Sequence, residues 1–424
     1  MRLSRYTVEA EGFDGKHLLY NTANGAFAVL EEGQEVPEQF LTELTPGEEL
    51  TAQRAAFEAQ RTDHSELTLV IAPTYACNLR CPYCYEQGHN AVKGKMSSEV
   101  VAAIVDFVRC RYAAHPFQRL SVQWYGGDPS LALDVVEDLS ARLIAFCEAS
   151  GATYDAMMLT NCNAIDEQAV ELLVRSRVTS VLVTIDGFEE THNARRVSAT
   201  GVNSFERNIG AVRLFVEHGI AVIANMNVDR VNWPEFYPLR DYLRSELGIE
   251  LGCARLCDYG RFFGTRDFRR PMFDLFDHEE FCRLTHEAFV QDGCDAGRLS
   301  ARLAPAPRFC NGQRNDYFVI DTLGDIYLCD GYIGEKEHVV GNVATGDIEA
   351  ALDCISHDPY DDEQCSACEI LPICQGNCDW ERRASDMACH PLRMTLSDYL
   401  RDWQRLEECA HHDDGNRLVK GDCW

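Results

Sequence analysis

Between residues 66 and 256 the chain alternates short apolar runs of β character with longer amphipathic stretches. The runs are ELTLVIAP (66–73), RLSVQWYG (119–126), DAMMLTN (155–161), TSVLVTID (179–186), AVIANMNV (221–228) and IELGCARL (249–256). Strands separated by a helix's length of chain pair in parallel, and right-handed crossovers curl six such units into an open partial barrel more readily than a closed eight-stranded one. The expected fold class is therefore α/β, a partial (β/α)6 barrel of TIM type whose strands are buried on both faces. In barrels of this kind chemistry gathers at the C-terminal strand ends. Four of those ends carry unusual loops: three cysteines past the first, WYGGDP past the second, TNCN past the third and TIDG past the fourth.

Residues 1–65 read as a small separate α+β module, in which RYTVEAEG, HLLYNTA and GAFAVLEE form three short strands ahead of a helix. The barrel occupies 66–257. A bridging segment, 258–305, contains one helix over 277–290, and a cysteine-rich domain follows over 306–424. The N-terminal residues lack the apolar core of a signal peptide and no stretch reaches eighteen apolar residues, so a cytoplasmic protein is expected. A net charge of −29 disfavours nucleic acid and anionic membranes as partners. Twenty cysteines in a reducing compartment favour metal or cluster ligation over disulfides.

The stretch PTYACNLRCPYCYEQG spaces Cys77, Cys81 and Cys84 as C-x3-C-x2-C and offers no fourth ligand nearby. Three thiolates can wrap three corners of a four-iron cube and leave one metal open, the arrangement of a catalytic site; the alternative is a zinc knuckle completed by a distant residue. Farther on, Cys310, Gly324 and Cys329 read C-x13-G-x4-C, then Cys365, Cys368, Cys374 and Cys378 read C-x2-C-x5-C-x3-C, and Cys389 follows. These seven thiolates suit clusters, or one or two structural zincs. Cys110, Cys147, Cys162 and Cys354 lack ligand spacing and read as ordinary small residues.

With Tyr83 before its third cysteine, the C-x3-C-x2-C loop resembles that of the radical S-adenosylmethionine (SAM) superfamily. The resemblance implies a [4Fe-4S] cluster on Cys77, Cys81 and Cys84 whose open iron chelates SAM, and an enzyme that generates a 5'-deoxyadenosyl radical. GGDP, Gly126 to Pro129, resembles the family's Gly-Gly-Glu-Pro, with Asp128 shorter than the usual Glu. Thr160 and Asn161 resemble its Thr-Asn-Gly, with Cys162 where Gly is expected, and TIDGFEETHNARR resembles an Asp-Gly and His-Asp-x-x-Arg pattern through Thr184, Asp186, His192 and Arg196. Tyr83, Gly126, Gly127, Asp128, Asn161, Thr184 and Arg196 are thereby implied as SAM contacts, while Asp186 and His192 suit a hydrogen-bonded turn equally well.

The C-terminal spacing resembles the SPASM domain, which carries two auxiliary four-iron clusters, making three in all. The resemblance gives auxiliary cluster II Cys365, Cys368, Cys374 and Cys389, and auxiliary cluster I Cys310, Cys329 and Cys378. Sulfatase-maturing members have a further cysteine where this chain has Ala304, so either Cys294, Cys282, Cys257 or Cys253 supplies the fourth ligand of cluster I, or an iron there is open. Asp330 directly follows Cys329, resembling a Cys-Asp pair whose Asp is the catalytic base. The N-terminal module resembles leader-recognition domains of peptide maturases. The implied function is a maturase that cross-links a precursor peptide, leader plus Cys-containing core, through a thioether, with flavodoxin or ferredoxin as electron donor. Formylglycine formation on a sulfatase, a carbon-carbon link, and a non-catalytic iron-sulfur or zinc scaffold are the alternatives.

Overall fold

Six strands run in parallel where the apolar runs predict them: β6 (Glu66–Ile71), β7 (Arg119–Trp124), β8 (Thr153–Thr160), β9 (Val178–Thr184), β10 (Ala221–Val228) and β11 (Leu251–Arg255). In the computed structural model, which describes residues 1–84, 86, 94–257, 272–306, 308, 310–346, 348, 358–384 and 389–412, they form a mixed sheet ordered β11-β10-β9-β8-β7-β6-β12-β13-β14. The last three strands are Tyr317–Ile320, Asp325–Tyr327 and Gly341–Asn342. Residues 258–271 of the expected bridging segment, with Cys354 and Cys423, lie outside the described residues.

The crossovers are helical: α2 (Ser98–Ala114), α3 (Leu133–Ser150), α4 (Glu167–Arg175), α5 (Glu189–Arg195) with α6 (Ser204–Glu217), and α7 (Phe236–Leu247). Ser97, Asp166 and Asn203 cap three of them with side-chain oxygens on the amides of Val100, Ala169 and Glu206, which satisfies donors that a helix start leaves open. Burial on both faces holds for β6 and fails for β8 and β10. Met158, Val181, Val183 and Met226 are fully buried, yet the alternate residue Ile223 is 49% exposed. Helices α3, α4, α6 and α7 cover one face of these strands, while an open barrel leaves the other face unfilled.

β12 pairs in parallel with β6, Val319 against Val70, and turns back into β13 through Gly324 at φ 82°, where a Cβ would stand 2.7 Å from Val343. A four-residue apolar run is too short to announce a sheet strand, and the sequence reading found none there. The compact unit holding this sheet comprises residues 63–276 and 314–355.

A second unit comprises residues 1–62, 277–313 and 356–424. Its β2 (Thr7–Glu11), β3 (His17–Asn21) and β4 (Ala26–Leu30) form the expected antiparallel meander. Helix α1 (Pro46–Arg61) follows behind a capping box of Thr45 and Glu48. The long helix Leu392–His412 packs on β2 and β3, with Leu18, Tyr20, Tyr399, Leu400 and Trp403 in one apolar cluster. Phe27 stacks on Trp403 at 4.7 Å. The helix expected over 277–290 runs His278–Gln291 behind Asp277, which caps it. No helix among the described residues is long and apolar enough to cross a membrane.

Phe318, fully buried in β12, meets Phe107 edge-on at 5.3 Å and lies under the Arg111 guanidinium at 5.2 Å. Phe318→Ala is expected to cost about 3–5 kcal/mol of stability, read as a lowered denaturant midpoint with the slope unchanged.

Candidate active site

The loop after β6 is held by backbone from its neighbour strand. Gly127 and Asp128 donate their amides to the carbonyls of Thr74 (3.2 Å) and Ala76 (2.9 Å). A Cβ on Gly127 would overlap the carbonyls of Tyr75 and Ala76, and one on Gly126, at φ 100°, would sit 2.7 Å from that of Thr74. The two glycines are thus what allows strand end and cysteine loop to touch. From the other side Arg80 N–H donates to Val197 O (2.7 Å) and Ala199 N–H to Asn78 O (2.9 Å).

So clamped, Cys77, Cys81 and Cys84 gather with Leu79, Tyr83, Leu256 and Phe273 in one apolar cluster. Burial pushes the Cys77 thiol up to about 11, helped by nearby Asp128 and Cys81 and opposed by the Leu79 amide 3.5 Å from its sulfur. Burial also raises Cys81 and Cys84, with Arg196 pulling Cys81 back. Three desolvated thiols this close become thiolates together only when a cation complex takes them.

Asp128 is 1% exposed and fully engaged by its own chain. Its Oδ1 accepts Ser130 N–H (2.9 Å), Ser130 O–H (2.6 Å) and Thr160 O–H (3.1 Å), and its Oδ2 accepts Asn161 N–H (3.1 Å). Burial raises its pKa while these donors oppose the rise. The carboxylate therefore ties the end of β7 to the end of β8. Asn161 reaches back to the loop, its Nδ2 donating to Asn78 Oδ1 (2.8 Å) and lying 3.5 Å from Cys77 Sγ. Cys162 is buried at φ 67°, a left-handed conformation that accounts for the glycine expected there. Thr184 is half-buried at the end of β9, and its carbonyl accepts Asn208 Nδ2 at 3.1 Å.

Tyr83, Asp186 and Arg196 meet in one buried network. The Tyr83 hydroxyl donates to Asp186 Oδ2 and accepts from Arg196 Nη1 at 2.8 Å. Asp186 Oδ1 accepts Asn227 N–H (3.0 Å), and Asp186 N–H donates to His192 Nδ1 (3.3 Å). His192 is wholly buried, and desolvation with Arg196 nearby lowers its pKa to about 3, so it is neutral. Sequence reasoning passed over Arg195, whose guanidinium pairs with Asp229 Oδ2 (3.0 Å) and Asn227 O (3.0 Å), Arg195 and Asp229 each being 2% exposed or less, and lies 4.8 Å from the Phe273 ring. It also missed Glu235, which accepts Phe188 N–H (2.6 Å) and the Thr191 hydroxyl at the start of α5. The doubled arginine in NARR was the available signal.

In the other unit Cys365, Cys368, Cys374 and Cys389 line one pocket with Leu371, Arg382 and Arg393. Arg382 Nη1 lies 3.6 Å from Cys365 Sγ and Arg393 Nη1 3.5 Å from Cys389 Sγ, cations suited to thiolates. Burial, with Cys365 and Cys368 close by, takes Cys374 up to about 11. Cys378 is raised to about 12 by burial and, in part, by neighbouring Cys310; left-handed Gln375 and Asn377 set the turn that separates it from Cys374. Cys329 and Asp330 belong to the barrel unit, directly after β13. Asp330 is half-buried with Tyr317 O–H 3.5 Å from its Oδ1, and burial raises its carboxyl. Of the four cysteines weighed as an added ligand, Cys257, Cys282 and Cys294 are buried and Cys253 is half-buried on β11.

Residues 71–243 match the radical SAM superfamily. The cysteine-type anaerobic sulfatase-maturating enzyme of Clostridium perfringens is 26% identical over 379 residues, 81% of this chain and 96% of that one. The serine-type enzyme of Klebsiella pneumoniae is 24% identical over 72% and 79% of the two chains. Native anSMEcpe with bound AdoMet and Kp18Cys peptide superposes with TM-score 0.61 at 21% identity, covering 82% of this chain and all of that one. Streptococcus suis SuiB bound to precursor peptide SuiA gives TM-score 0.55 at 16% identity, over 92% and 99%. The fold is the one these enzymes share.

Gly127→Ala is expected to force the cysteine loop away from β7 and to lower iron uptake at that loop, measured by iron analysis after anaerobic reconstitution. The folded pKa of His192, about 3, lies below the ~6.5 of an unfolded histidine. The unfolded chain therefore binds the proton first, and stability present above about pH 6.5 falls as the pH drops toward 3. His192→Gln is expected to flatten that acid slope in denaturant midpoints taken across the range.

Proposed function

We propose that this radical SAM enzyme of the SPASM maturase type acts on a ribosomal precursor peptide and closes a thioether between a cysteine sulfur and a carbon of another residue. A four-iron cluster on Cys77, Cys81 and Cys84, with SAM at its open position, would supply one-electron cleavage of the sulfonium and hydrogen-atom abstraction. The observation that carries the reading is the rim itself: three desolvated thiols on a loop clamped by Gly126, Gly127 and Asp128.

The chain's own residues divide the work. Gly126 and Gly127 bring backbone within reach of a bound cofactor, and Asp128 and Asn161 fix the two strand ends beside Cys77. Tyr83 and Arg196 form the wall behind Cys81 and place a permanent cation near it, with Thr184 completing the SAM side of the rim. Asp330, whose carboxyl is raised by burial, takes the proton released as the substrate is oxidised. Cys365, Cys368, Cys374 and Cys389 would hold one auxiliary cluster, and Cys310, Cys329 and Cys378 another, for electrons leaving the substrate.

Support for a peptide with a leader comes from the meander and helix over residues 7–61, and from SuiB, whose structure holds precursor peptide SuiA. Ala304, in place of a further cysteine, leaves room for a substrate thiolate at auxiliary cluster I. A second reading, oxidation of a sulfatase cysteine or serine to formylglycine, is favoured by the Clostridium and Klebsiella relatives and by the Cys329–Asp330 pair. A flavodoxin- or ferredoxin-like donor would serve either chemistry.

Anaerobic reconstitution is expected to give about twelve irons per chain, and SAM with a reductant to give 5'-deoxyadenosine by mass spectrometry. Cys77→Ala should abolish deoxyadenosine while the C-terminal cysteines keep their iron, whereas Cys374→Ala should strip the C-terminal iron first. Zinc in place of iron, or iron without SAM cleavage, would leave only a scaffold. Loss of two hydrogens and one free thiol from a candidate peptide marks the thioether; a hydrazine-trapped aldehyde marks formylglycine.

A further inference from the structure

Tyr75 stands two residues before Cys77 and Tyr327 two before Cys329, both in the barrel unit. They are 4% and 1% exposed. Their hydroxyls donate to the same oxygen, Oδ2 of Asp321, at 3.1 and 3.3 Å. Asp321, 3% exposed, accepts the amides of Leu323 and Asp325 on its other oxygen at 2.8 and 3.0 Å. The strand pairing prepares this meeting: Ala72 N–H donates to Ile320 O at 2.9 Å, so the residues just past β6 and β12 leave the sheet side by side.

The two amides alone would cap the β12–β13 turn, and an aspartate doing only that belongs at the surface. Here the carboxylate is buried, which is costly unless every lone pair is met, and the remaining donors come from two segments that each lead into a cysteine. We propose that Asp321 is a positioning residue that sets the spacing between the Cys77 loop and the Cys329–Asp330 segment by holding Tyr75 and Tyr327 on one carboxylate. This deepens the proposed function and rests on it for the roles of Cys77 and Asp330. Radical source and base must face one substrate carbon together, and a misplacement of about 1 Å can cost on the order of 100-fold in rate. A shared carboxylate holds both segments to one reference point.

The test is hydrogen–deuterium exchange by mass spectrometry on the full-length reconstituted protein and its Tyr75→Phe, Tyr327→Phe and Asp321→Asn variants, with electron paramagnetic resonance of the reduced Cys77 site. Crosswise loosening is expected: Tyr75→Phe raises exchange over residues 325–332 and Tyr327→Phe raises it over 73–81, each by about tenfold for one lost buried hydrogen bond. Tyr327→Phe is also expected to alter the resonance line shape at unchanged iron content. Exchange confined to each variant's own segment, or a spectrum unmoved by Tyr327→Phe, overturns the proposal. The single-hydroxyl deletions keep it testable should Asp321→Asn fail to fold. Should the protein hold no iron, the proposed function fails, while exchange alone still decides whether the segments are coupled.

Discussion

Desolvation of three thiols on one clamped loop is the constraint around which the barrel unit is arranged. Left in water, Cys77, Cys81 and Cys84 would be ordinary reactive cysteines. Packed against Leu79, Tyr83, Leu256 and Phe273, they are costly to ionise separately and suited to be taken together by a multivalent centre. The clamp comes from backbone: two amides of the β7 end on two carbonyls of the loop, possible only because residues 126 and 127 have no side chain. Asp128 and Asn161 then tie in the third strand end, and Tyr83, Asp186 and Arg196 the fourth. Each strand end thus restrains its neighbour, so the loops of the rim are held as one unit.

The six parallel strands were legible because each apolar run is bounded by turn residues and spaced by a helix. So was the meander, from its Gly and Asn turns. The four rim loops were legible because glycines and cysteines in fixed order leave a mark that propensity cannot supply. Other parts were not. β12 is four residues long and gains its place only by pairing with β6, a relation between segments some 250 residues apart. Arg195, Asp229 and Glu235 act through ion pairs and caps whose partners lie on other elements, so nothing local announces them. Burial on both faces was expected of every strand, and Ile223 departs from it because an open barrel leaves its inner face unfilled.

The cysteine-rich segment threads through both units. Cys310 and Cys378 fall with the N-terminal meander's unit, whereas Cys329, between them in sequence, follows β13 of the barrel unit. The four cysteines around Cys374 stand apart from this arrangement: they share one pocket, with two arginines beside their sulfurs.

Cys162 sits in a turn whose backbone its residue type disfavours. Its left-handed backbone, φ 67°, is a conformation that glycine adopts without strain, and a side chain there costs on the order of 1–2 kcal/mol. The turn survives because Cys162 N–H donates to Thr160 Oγ1 at 3.0 Å and Asn163 N–H to Asn161 Oδ1 at 2.9 Å, neither of which involves the residue's own side chain. What holds this corner is a hydrogen-bond pattern rather than a letter, so a motif that demands glycine here would pass over a chain that keeps the geometry without the residue.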